Sequence, residues 1–163
     1  MTTDQVRWRI GVGSDNLGFA LKQLLAQRMA DDHRVVEVVD YGVPDEHDST
    51  AYPHVGLRAA EAVARGEVDR AVLVCGTGIG MSISANKVPG VRASVAADSY
   101  SVQRSVLSNN CQVLCFGARV IGPELAATLL DEWLGHVFDE ASPSQRKVAV
   151  ISDYEQREQG LAS

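Results

Sequence analysis

A cysteine followed directly by a glycine-rich loop is the part of this sequence whose residue types best suit chemistry. Cys75 ends an apolar, strand-like run over residues 71–75, and the loop Gly76-Thr77-Gly78-Ile79-Gly80 follows it. Glycine backbones reach positive φ angles, so consecutive N–H groups of such a loop can converge on one anion. A helix that starts behind the loop adds positive potential, and that setting favours the thiolate form of a cysteine. The pattern predicts an anion site beside a thiolate that can act as general base or nucleophile, with a plain tight turn after a buried core cysteine as the alternative.

The loop does not match the two common nucleotide-binding motifs. The dinucleotide fingerprint needs Gly or Ala where Met81 stands, and the Lys-Ser/Thr ending of the Walker A motif is missing. The other two cysteines, Cys111 and Cys115, are four residues apart and lack a second cysteine pair or clustered histidines. We therefore predict that they are core residues, and we predict no zinc site.

Five further polar residues are candidates for the same chemistry. Asp15 follows the first strand-like run, where it would orient a substrate hydroxyl or cap a helix. Thr77 would shuttle a proton between neighbouring oxygens or cap the next helix. Arg119 and Arg146 are candidate phosphate donors because a guanidinium matches phosphate geometry, with solvated surface charges as the alternative. His54 is the histidine best placed to reach a ligand, with a surface position that touches no ligand as the more common alternative.

Short apolar strands alternate with helices along the chain, which predicts an α/β fold with a five-stranded parallel sheet covered on both faces. We predict the strand order 2-1-3-4-5, because it places Asp15-Asn16 and the loop after Cys75 at the two strand ends that flank the crevice. The predicted strands cover residues 9–14, 35–39, 71–75, 91–96 and 112–116; the predicted helices cover residues 17–29, 53–65, 81–87, 99–107, 123–134 and 144–159.

Length and composition restrict the class of protein. The chain has 163 residues, 45% of them hydrophobic, and a formal net charge of −6. We predict one domain, residues 1–163, with a core at about residues 9–140 and a C-terminal helical arm at about residues 142–159 that reaches a partner subunit. The negative charge argues against nucleic acid as a partner. Without a long apolar run or a basic-then-apolar start, we expect no membrane contact and a cytoplasmic location.

Five short motifs lie along the chain in a characteristic order and spacing. They are Gly13-Ser-Asp-Asn-Leu-Gly18, Tyr52-Pro-His54, Val74-Cys-Gly-Thr-Gly-Ile-Gly80, Ser84-Ala-Asn-Lys87 and Phe116-Gly-Ala-Arg-Val-Ile-Gly122. Together they resemble the type B ribose-5-phosphate isomerases, with the galactose-6-phosphate isomerase subunits as a more distant likeness. The resemblance covers nearly the whole chain, from about Arg9 to Arg157.

The resemblance implies a three-layer, Rossmann-like α/β/α sandwich and an aldose–ketose isomerase of a phosphorylated sugar that uses no metal and no cofactor. It implies a homodimer or a dimer of dimers with active sites at the subunit interface. By position, Cys75 is implied as the base that forms a cis-enediolate, with Thr77 and Asp15 moving hydroxyl protons. The implied substrate contacts are Asn16, Tyr52, Gly76, Gly78, Ile79, Gly80, Asn109, Arg119 and Arg146.

Three positions depart from the family's pattern. Asn16 stands where the family usually has His, Ser108 where it has a ring-opening His, and Ser142 where it has one of two tail arginines. Loss of the ring-opening group disfavours ribose 5-phosphate, a furanose, whereas a four-carbon sugar phosphorylated on O4 cannot close a furanose. Ser108-Asn109-Asn110 also resembles the branch that interconverts D-erythrulose 4-phosphate and D-erythrose 4-phosphate. Both substrates stay open, with the tetrose slightly favoured.

Two other functions are compatible with these residues. A non-catalytic, flavodoxin-like module that binds a sugar phosphate would need the glycine loop but not the Cys75 thiol. A thiol hydrolase would use Cys75 as its nucleophile, but it would need a histidine partner, and His54 is the only one that can be placed.

Overall fold

A five-stranded sheet with helices on both faces forms the body of the molecule. The computed structural model describes residues 6–161, so the two ends of the predicted domain, residues 1–5 and 162–163, lie outside the described residues. Within residues 6–161, no helix combines the length and the hydrophobicity needed to cross a bilayer. The elements are β1 (Trp8–Ser14), α1 (Phe19–Ala30), β2 (Val35–Asp40), α2 (Tyr52–Ala64), β3 (Arg70–Cys75), α3 (Ile79–Ala85), β4 (Ala93–Val95), α4 (Ser99–Leu107), β5 (Val113–Gly117), α5 (Pro123–Gly135) and α6 (Gln145–Leu161).

All strand pairings are parallel, and the strand order is β2-β1-β3-β5-β4. The predicted α/β fold is confirmed, but the predicted order 2-1-3-4-5 is wrong at its last two positions. β5 is buried along its whole length, whereas β4 has three residues, all at least partly exposed. A short, half-exposed strand suits the edge of a sheet, and an apolar strand buried on both faces suits its interior. β1 and β3 are neighbours as predicted, and Ser14 pairs with Val74 at their carboxyl ends.

Alternate residues of β3 face different helix layers. Val72 and Val74 join the apolar cluster formed with α1, α4 and α5. Ala71, Leu73 and Cys75 join the cluster formed with α2 and α3. This is the period of two expected of a strand buried on both faces. It directs the Cys75 side chain toward α2 and α3.

Most elements begin or end one or two residues from their predicted bounds, and the differences in α3 and β4 affect the site and the sheet most. α3 begins at Ile79 rather than at residue 81, because Gly78 takes the left-handed conformation (φ 78°) and the helix starts directly after it. β4 is shorter than predicted and forms the edge of the sheet. There the Asn86 side chain donates to the backbone oxygen of Ala93 (2.9 Å) and accepts from its N–H (2.8 Å), which covers this exposed edge.

The last helix, α6, is attached near the amino end of β4. The Gly90 N–H donates to Glu155 Oε2 at 2.7 Å. Most of the helix is exposed, including the apolar side chains of Val150, Ile151 and Tyr154. The packing of this arm on a partner subunit stays a prediction.

A buried arginine stabilises the end of the sheet where the strands begin, which we call the amino edge; the end where they finish is the carboxyl edge. Arg70 begins β3 and is only 5% exposed. Its guanidinium donates to the carbonyl oxygens of Trp133 (3.0 Å) and His136 (2.7 Å), and it lies 3.9 Å from the Trp8 ring centroid. Burial lowers the pKa of Arg70 to about 10, so the side chain stays charged at neutral pH. The guanidinium thereby adds a charged donor to the carbonyl of Trp133, in the last turn of α5, and to the carbonyl of His136, directly after the helix.

We expect Arg70→Met to lower the free energy of unfolding by about 3 kcal/mol, because two carbonyl groups lose a charged hydrogen-bond donor. Urea unfolding followed by tryptophan fluorescence measures the change. Arg65→Met is the control, since the ion pairs of Arg65 with Glu61 and Glu67 are exposed and contribute little. A loss below about 1 kcal/mol for Arg70→Met would show that the guanidinium does not hold this edge.

Candidate active site

Cys75 lies at the carboxyl end of β3, beneath the glycine loop. It is 4% exposed. The backbone N–H of Gly78 donates to the Cys75 sulfur at 3.2 Å. A backbone N–H directed at a sulfur stabilises negative charge there. The loop therefore directs the Gly78 N–H at the sulfur that the sequence predicts to be the base or nucleophile.

The loop reaches this position by crossing directly over the end of β5. A Cβ at Gly117 would lie 2.6 Å from the carbonyl carbon of Thr77. A Cβ at Gly78 would lie 2.9 Å from the carbonyl carbon of Phe116. Neither approach is open to a residue with a side chain, so the crossing requires glycine at both positions.

Arg119 is held beside the loop by the backbone. The N–H of Ala118 donates to the carbonyl of Cys75 (2.8 Å), and the N–H of Arg119 donates to the carbonyl of Gly76 (3.0 Å). A Cβ on Gly76 would lie 3.3 Å from Leu17 Cδ1 and 3.9 Å from Arg119 Cδ, so both side chains flank the loop. Within residues 6–161, no carboxylate forms an ion pair with Arg119. An unpaired guanidinium at this place favours an anionic ligand.

Tyr52, the first residue of α2, lies against the far end of the loop. Its ring fills the space next to Gly80, where a Cβ would come within 2.3 Å of Tyr52 Cε2. The Ser84 hydroxyl on α3 donates to the carbonyl of Gly80 at 2.7 Å. Tyr52 is nevertheless 39% exposed, so it borders the solvent-facing side of the loop.

Asp15 follows β1, the strand next to β3, and is 8% exposed. Its Oδ1 accepts the N–H of Gly18 at 3.0 Å, in the turn that precedes α1. This turn lies against β3, because a Cβ on Gly18 would be 2.6 Å from the carbonyl oxygen of Val74. Asp15 thus caps the turn through one oxygen, and no hydrogen bond to Oδ2 occurs within residues 6–161.

Three exposed residues complete this edge of the sheet. Asn16, Thr77 and Ile79 are all exposed, and Thr77 Oγ1 accepts the N–H of Ile79 at 3.3 Å. The carboxyl edge therefore carries most of the candidate residues from sequence analysis, which are Asp15, Asn16, Tyr52, Cys75, Gly76, Thr77, Gly78, Ile79, Gly80 and Arg119.

Two candidate residues form no hydrogen bond or ion pair with this edge within the described part of the chain. Asn109 follows α4, and its backbone oxygen accepts from Nε of Arg92, which directly precedes β4 at the amino edge. The five residues of β5 separate the two edges by about 13 Å, at the usual rise per strand residue. Arg146, on α6, is exposed, and within residues 6–161 its side chain forms no ion pair and no hydrogen bond. Asn109 therefore lies at the other end of the strands from Cys75, and among residues 6–161 no polar contact connects Arg146 with the loop after Cys75.

An arginine that sequence analysis did not single out is paired with Ser108. Nε of Arg104 donates to Ser108 Oγ at 2.8 Å, and Nδ2 of Asn109 donates to the backbone oxygen of Arg104 at 3.1 Å. The spacing of four residues along α4 is the signal that could have predicted the first contact. Ser108 is therefore already hydrogen-bonded to a cationic side chain.

The remaining thiols and histidine take no part in this arrangement. Cys111 and Cys115 are 7% and 0% exposed, which confirms that they are core residues. Burial raises the pKa of Cys111 to about 11 and also raises that of Cys115, so both remain protonated thiols. His54 is exposed, and within residues 6–161 no hydrogen bond joins a histidine to Cys75. In the same range, no group of three or more His, Cys, Asp or Glu residues could hold a metal ion.

The chain is similar to known proteins over most of its length. It is 56% identical over 147 residues to D-erythrulose-4-phosphate isomerase 2 of Mycolicibacterium smegmatis, covering 90% of this chain and 97% of the relative. It is 44% identical over 149 residues to ribose-5-phosphate isomerase B of Escherichia coli, covering 91% and 97%. Among solved structures, ribose-5-phosphate isomerase B of Clostridium thermocellum matches with a TM-score of 0.86 at 40% identity, over 91% of this chain and 98% of that one.

A family model places these similarities in one group. The model described as Ribose/Galactose Isomerase matches residues 10–151, which include all five motifs. The fold is also similar to the type B ribose 5-phosphate isomerase of Leishmania infantum. The two chains are 31% identical, with a TM-score of 0.88 over 94% of this chain and 99% of that one. The chain therefore belongs to the ribose/galactose isomerase family and is an aldose–ketose isomerase.

Proposed function

We propose that this protein interconverts a ketose phosphate and an aldose phosphate through a cis-enediolate, with Cys75 as the general base. The observation that carries the proposal is the contact of the Gly78 N–H with the Cys75 sulfur at 3.2 Å. A group able to remove a carbon-bound proton then lies next to backbone amides able to hold the oxyanion that forms. Family membership favours this function over a binding module or a thiol hydrolase.

In the proposed reaction, the Cys75 thiolate removes a proton from C1 of the ketose. The electron pair of the C–H bond becomes the C1–C2 double bond, and the C2 carbonyl oxygen takes up the negative charge. Thr77 and Asp15 move a proton between the two oxygens, and the thiol returns its proton to C2 to give the aldose. The amides of the loop stabilise the enediolate, and each such donor typically contributes a few kcal/mol in a dry site.

The near-complete burial of the sulfur is compatible with this role. Cys75 is 4% exposed, so little water surrounds the sulfur, and the hydrogen bond from Gly78 acts on it in a largely dry setting. The loop above it has glycine at three of its five positions, so few side chains stand between a bound sugar and the backbone amides.

The substrate we propose is D-erythrulose 4-phosphate, with D-erythrose 4-phosphate as product and ribose 5-phosphate as the second candidate. Ser108 occupies the position that the resemblance assigns to a ring-opening acid–base group, and its hydroxyl already accepts from Arg104 at 2.8 Å. A sugar of four carbons with phosphate on O4 cannot form a furanose ring, so it needs no such group. The relative of Mycolicibacterium smegmatis, at 56% identity, carries the name of this activity.

We further propose that the site is shared between two chains, as a homodimer or a dimer of dimers in the cytoplasm. Asn109 lies near the amino ends of the strands, and Arg146 is exposed on α6 without a polar contact to the segments around Cys75 in residues 6–161. A second copy would supply them, together with the exposed apolar face of α6 as part of the interface. The proposed contacts from the first chain are Asn16, Tyr52, Gly76, Gly78, Ile79, Gly80 and Arg119.

Cys75→Ala should lower kcat by about 10³-fold, because the general base is lost while a small buried side chain remains. Turnover and the incorporation of solvent deuterium at C1 or C2 of the sugar phosphate measure the effect. Cys111→Ala is the matched control, since Cys111 is also a buried cysteine but lies near the amino edge. A Cys75→Ala enzyme that keeps kcat within about tenfold of wild type would contradict the assignment of the base.

Turnover of D-erythrulose 4-phosphate, ribose 5-phosphate and allose 6-phosphate should differ, with kcat/KM for the tetrose at least about tenfold higher. Ser108→His should raise kcat/KM for ribose 5-phosphate, because an imidazole can open the ring, whereas Ser108→Ala should not. A tetrose preference below tenfold would defeat the substrate proposal and leave the isomerase proposal standing.

Cys75→Ala and Asn109→Ala chains, each inactive alone, should regain activity when they are unfolded together and refolded as a mixture. Half of the dimers would then be mixed, and each mixed dimer would hold one intact site, so about a quarter of wild-type activity is expected. Size-exclusion chromatography of the mixture checks assembly. Activity no greater than that of the separate variants, in a mixture that forms dimers, would exclude a site shared in this way.

A further inference from the structure

A buried ammonium group on α1 has no part in the mechanism above. Lys22 is 1% exposed. Its Nζ donates to Asp40 Oδ2 at 2.7 Å and to the backbone oxygen of Val43 at 3.3 Å, and it lies 4.7 Å from the ring centroid of Phe19. Its donors therefore face a carboxylate, a carbonyl and an aromatic ring.

Burial of this charge needs an explanation, because packing alone does not require it. An ammonium withdrawn from water is unfavourable unless its partners compensate, and an apolar side chain of similar length would fill the same space. The Asp40 side chain is 47% exposed, so the contact joins an interior group to the surface end of β2. The Oδ1 atom of Asp40 accepts the N–H of Gly42 at 2.8 Å, which orders the loop that begins there.

The contacts of Lys22 close a ring around Asp15. On one side, the carbonyl of Val43 accepts a hydrogen bond from Lys22 Nζ. The backbone N–H of Val43 in turn donates to the carbonyl of Ser14 at 3.1 Å. On the other side, the backbone N–H of Lys22 donates to the carbonyl of Gly18 at 2.8 Å. The backbone N–H of Gly18 donates to Asp15 Oδ1. Asp15 is thus held between two segments, and Lys22 binds both.

We propose that Lys22 is a positioning residue for the isomerase reaction: its buried ammonium joins the β2–α2 loop to the start of α1 and so fixes the carboxylate of Asp15. This inference rests on the proposed function, in which Asp15 moves a hydroxyl proton. Lys22 itself touches no substrate, because its donors are engaged inside the protein.

The test is a double-mutant cycle between Lys22→Met and Asp15→Asn in the full chain. Lys22→Met should lower kcat for the preferred sugar phosphate by about tenfold, since small misplacements of reacting groups have effects of this size, with KM changed less than about threefold. The double variant should be no slower than Asp15→Asn alone, because both changes remove the same contribution. Losses that multiply would overturn the proposal.

Arg70→Met provides a control for stability, since it destabilises the opposite edge and should leave kcat unchanged below its unfolding temperature. If Lys22→Met does not fold, Asp40→Asn replaces it: the half-exposed amide keeps an acceptor for Gly42 but removes the ion pair. Asp40→Asn should lower kcat by about threefold, again without further loss in the Asp15→Asn background. Unchanged kcat in Asp40→Asn would then overturn the proposal.

A failure of the proposed function is distinguishable from a failure of this inference. A wild-type enzyme that turns over none of the three sugar phosphates would refute the function. Lys22 would then be judged by amide hydrogen exchange at Gly18, which should be at least about tenfold faster in Lys22→Met and unchanged in Arg70→Met. Equal Gly18 exchange in wild type and Lys22→Met would overturn the positioning role without reference to catalysis.

Discussion

The close crossing of the glycine loop over the end of β5 is the constraint on which the candidate site depends. It requires two positions without a side chain, Gly78 on the loop and Gly117 beneath it. Because of this crossing, the chain turns back after β3, and the Gly78 N–H points at the Cys75 sulfur 3.2 Å away. The same crossing hydrogen-bonds the segment that carries Arg119 to the backbone of Cys75 and Gly76. The Gly78 amide, the Cys75 sulfur and the backbone of Arg119 are thus placed by main-chain geometry, which is more rigid than side-chain contacts.

The two edges of the sheet have different chemistry, and the difference explains why one chain is insufficient for the proposed site. The carboxyl edge carries Cys75, the loop amides and Asp15, while the amino edge carries Asn109 beside the Arg104–Ser108 pair. About 13 Å of β5 lies between them, and no side chain spans that distance through a packed core. Parallel sheets separate their strand ends in this way, so the proposed site would combine residues from both ends through an interface between two copies.

The sequence was sufficient for the parts of the structure that depend on local pattern, and insufficient where packing decides. The apolar strands and Cys75 with its glycine loop follow from periodicity and turn chemistry, and each strand lies within a few residues of its prediction. The order of β4 and β5 was predicted wrongly, because chain order gave no measure of how short and exposed β4 would be. The Lys22 contacts were missed as well: a lysine in an amphipathic helix is usually solvated, and only the fold shows that Asp40 and Val43 lie above it.

Substrate selection in the proposed reaction would come from a group that the site lacks. An acid–base side chain at position 108 would be needed only by sugars that arrive as closed rings, whereas an open-chain tetrose phosphate would react equally well without it. The Ser108 hydroxyl accepts from Arg104 Nε, and a hydroxyl, unlike an imidazole, is not an acid–base group near neutral pH. Discrimination would therefore need no extra contact with the tetrose, because only a ring-closed sugar such as ribose 5-phosphate would react more slowly without the acid–base group. On this argument, the selectivity of the enzyme should fall when ring opening is fast in solution, and it should rise for sugars whose open form is scarce.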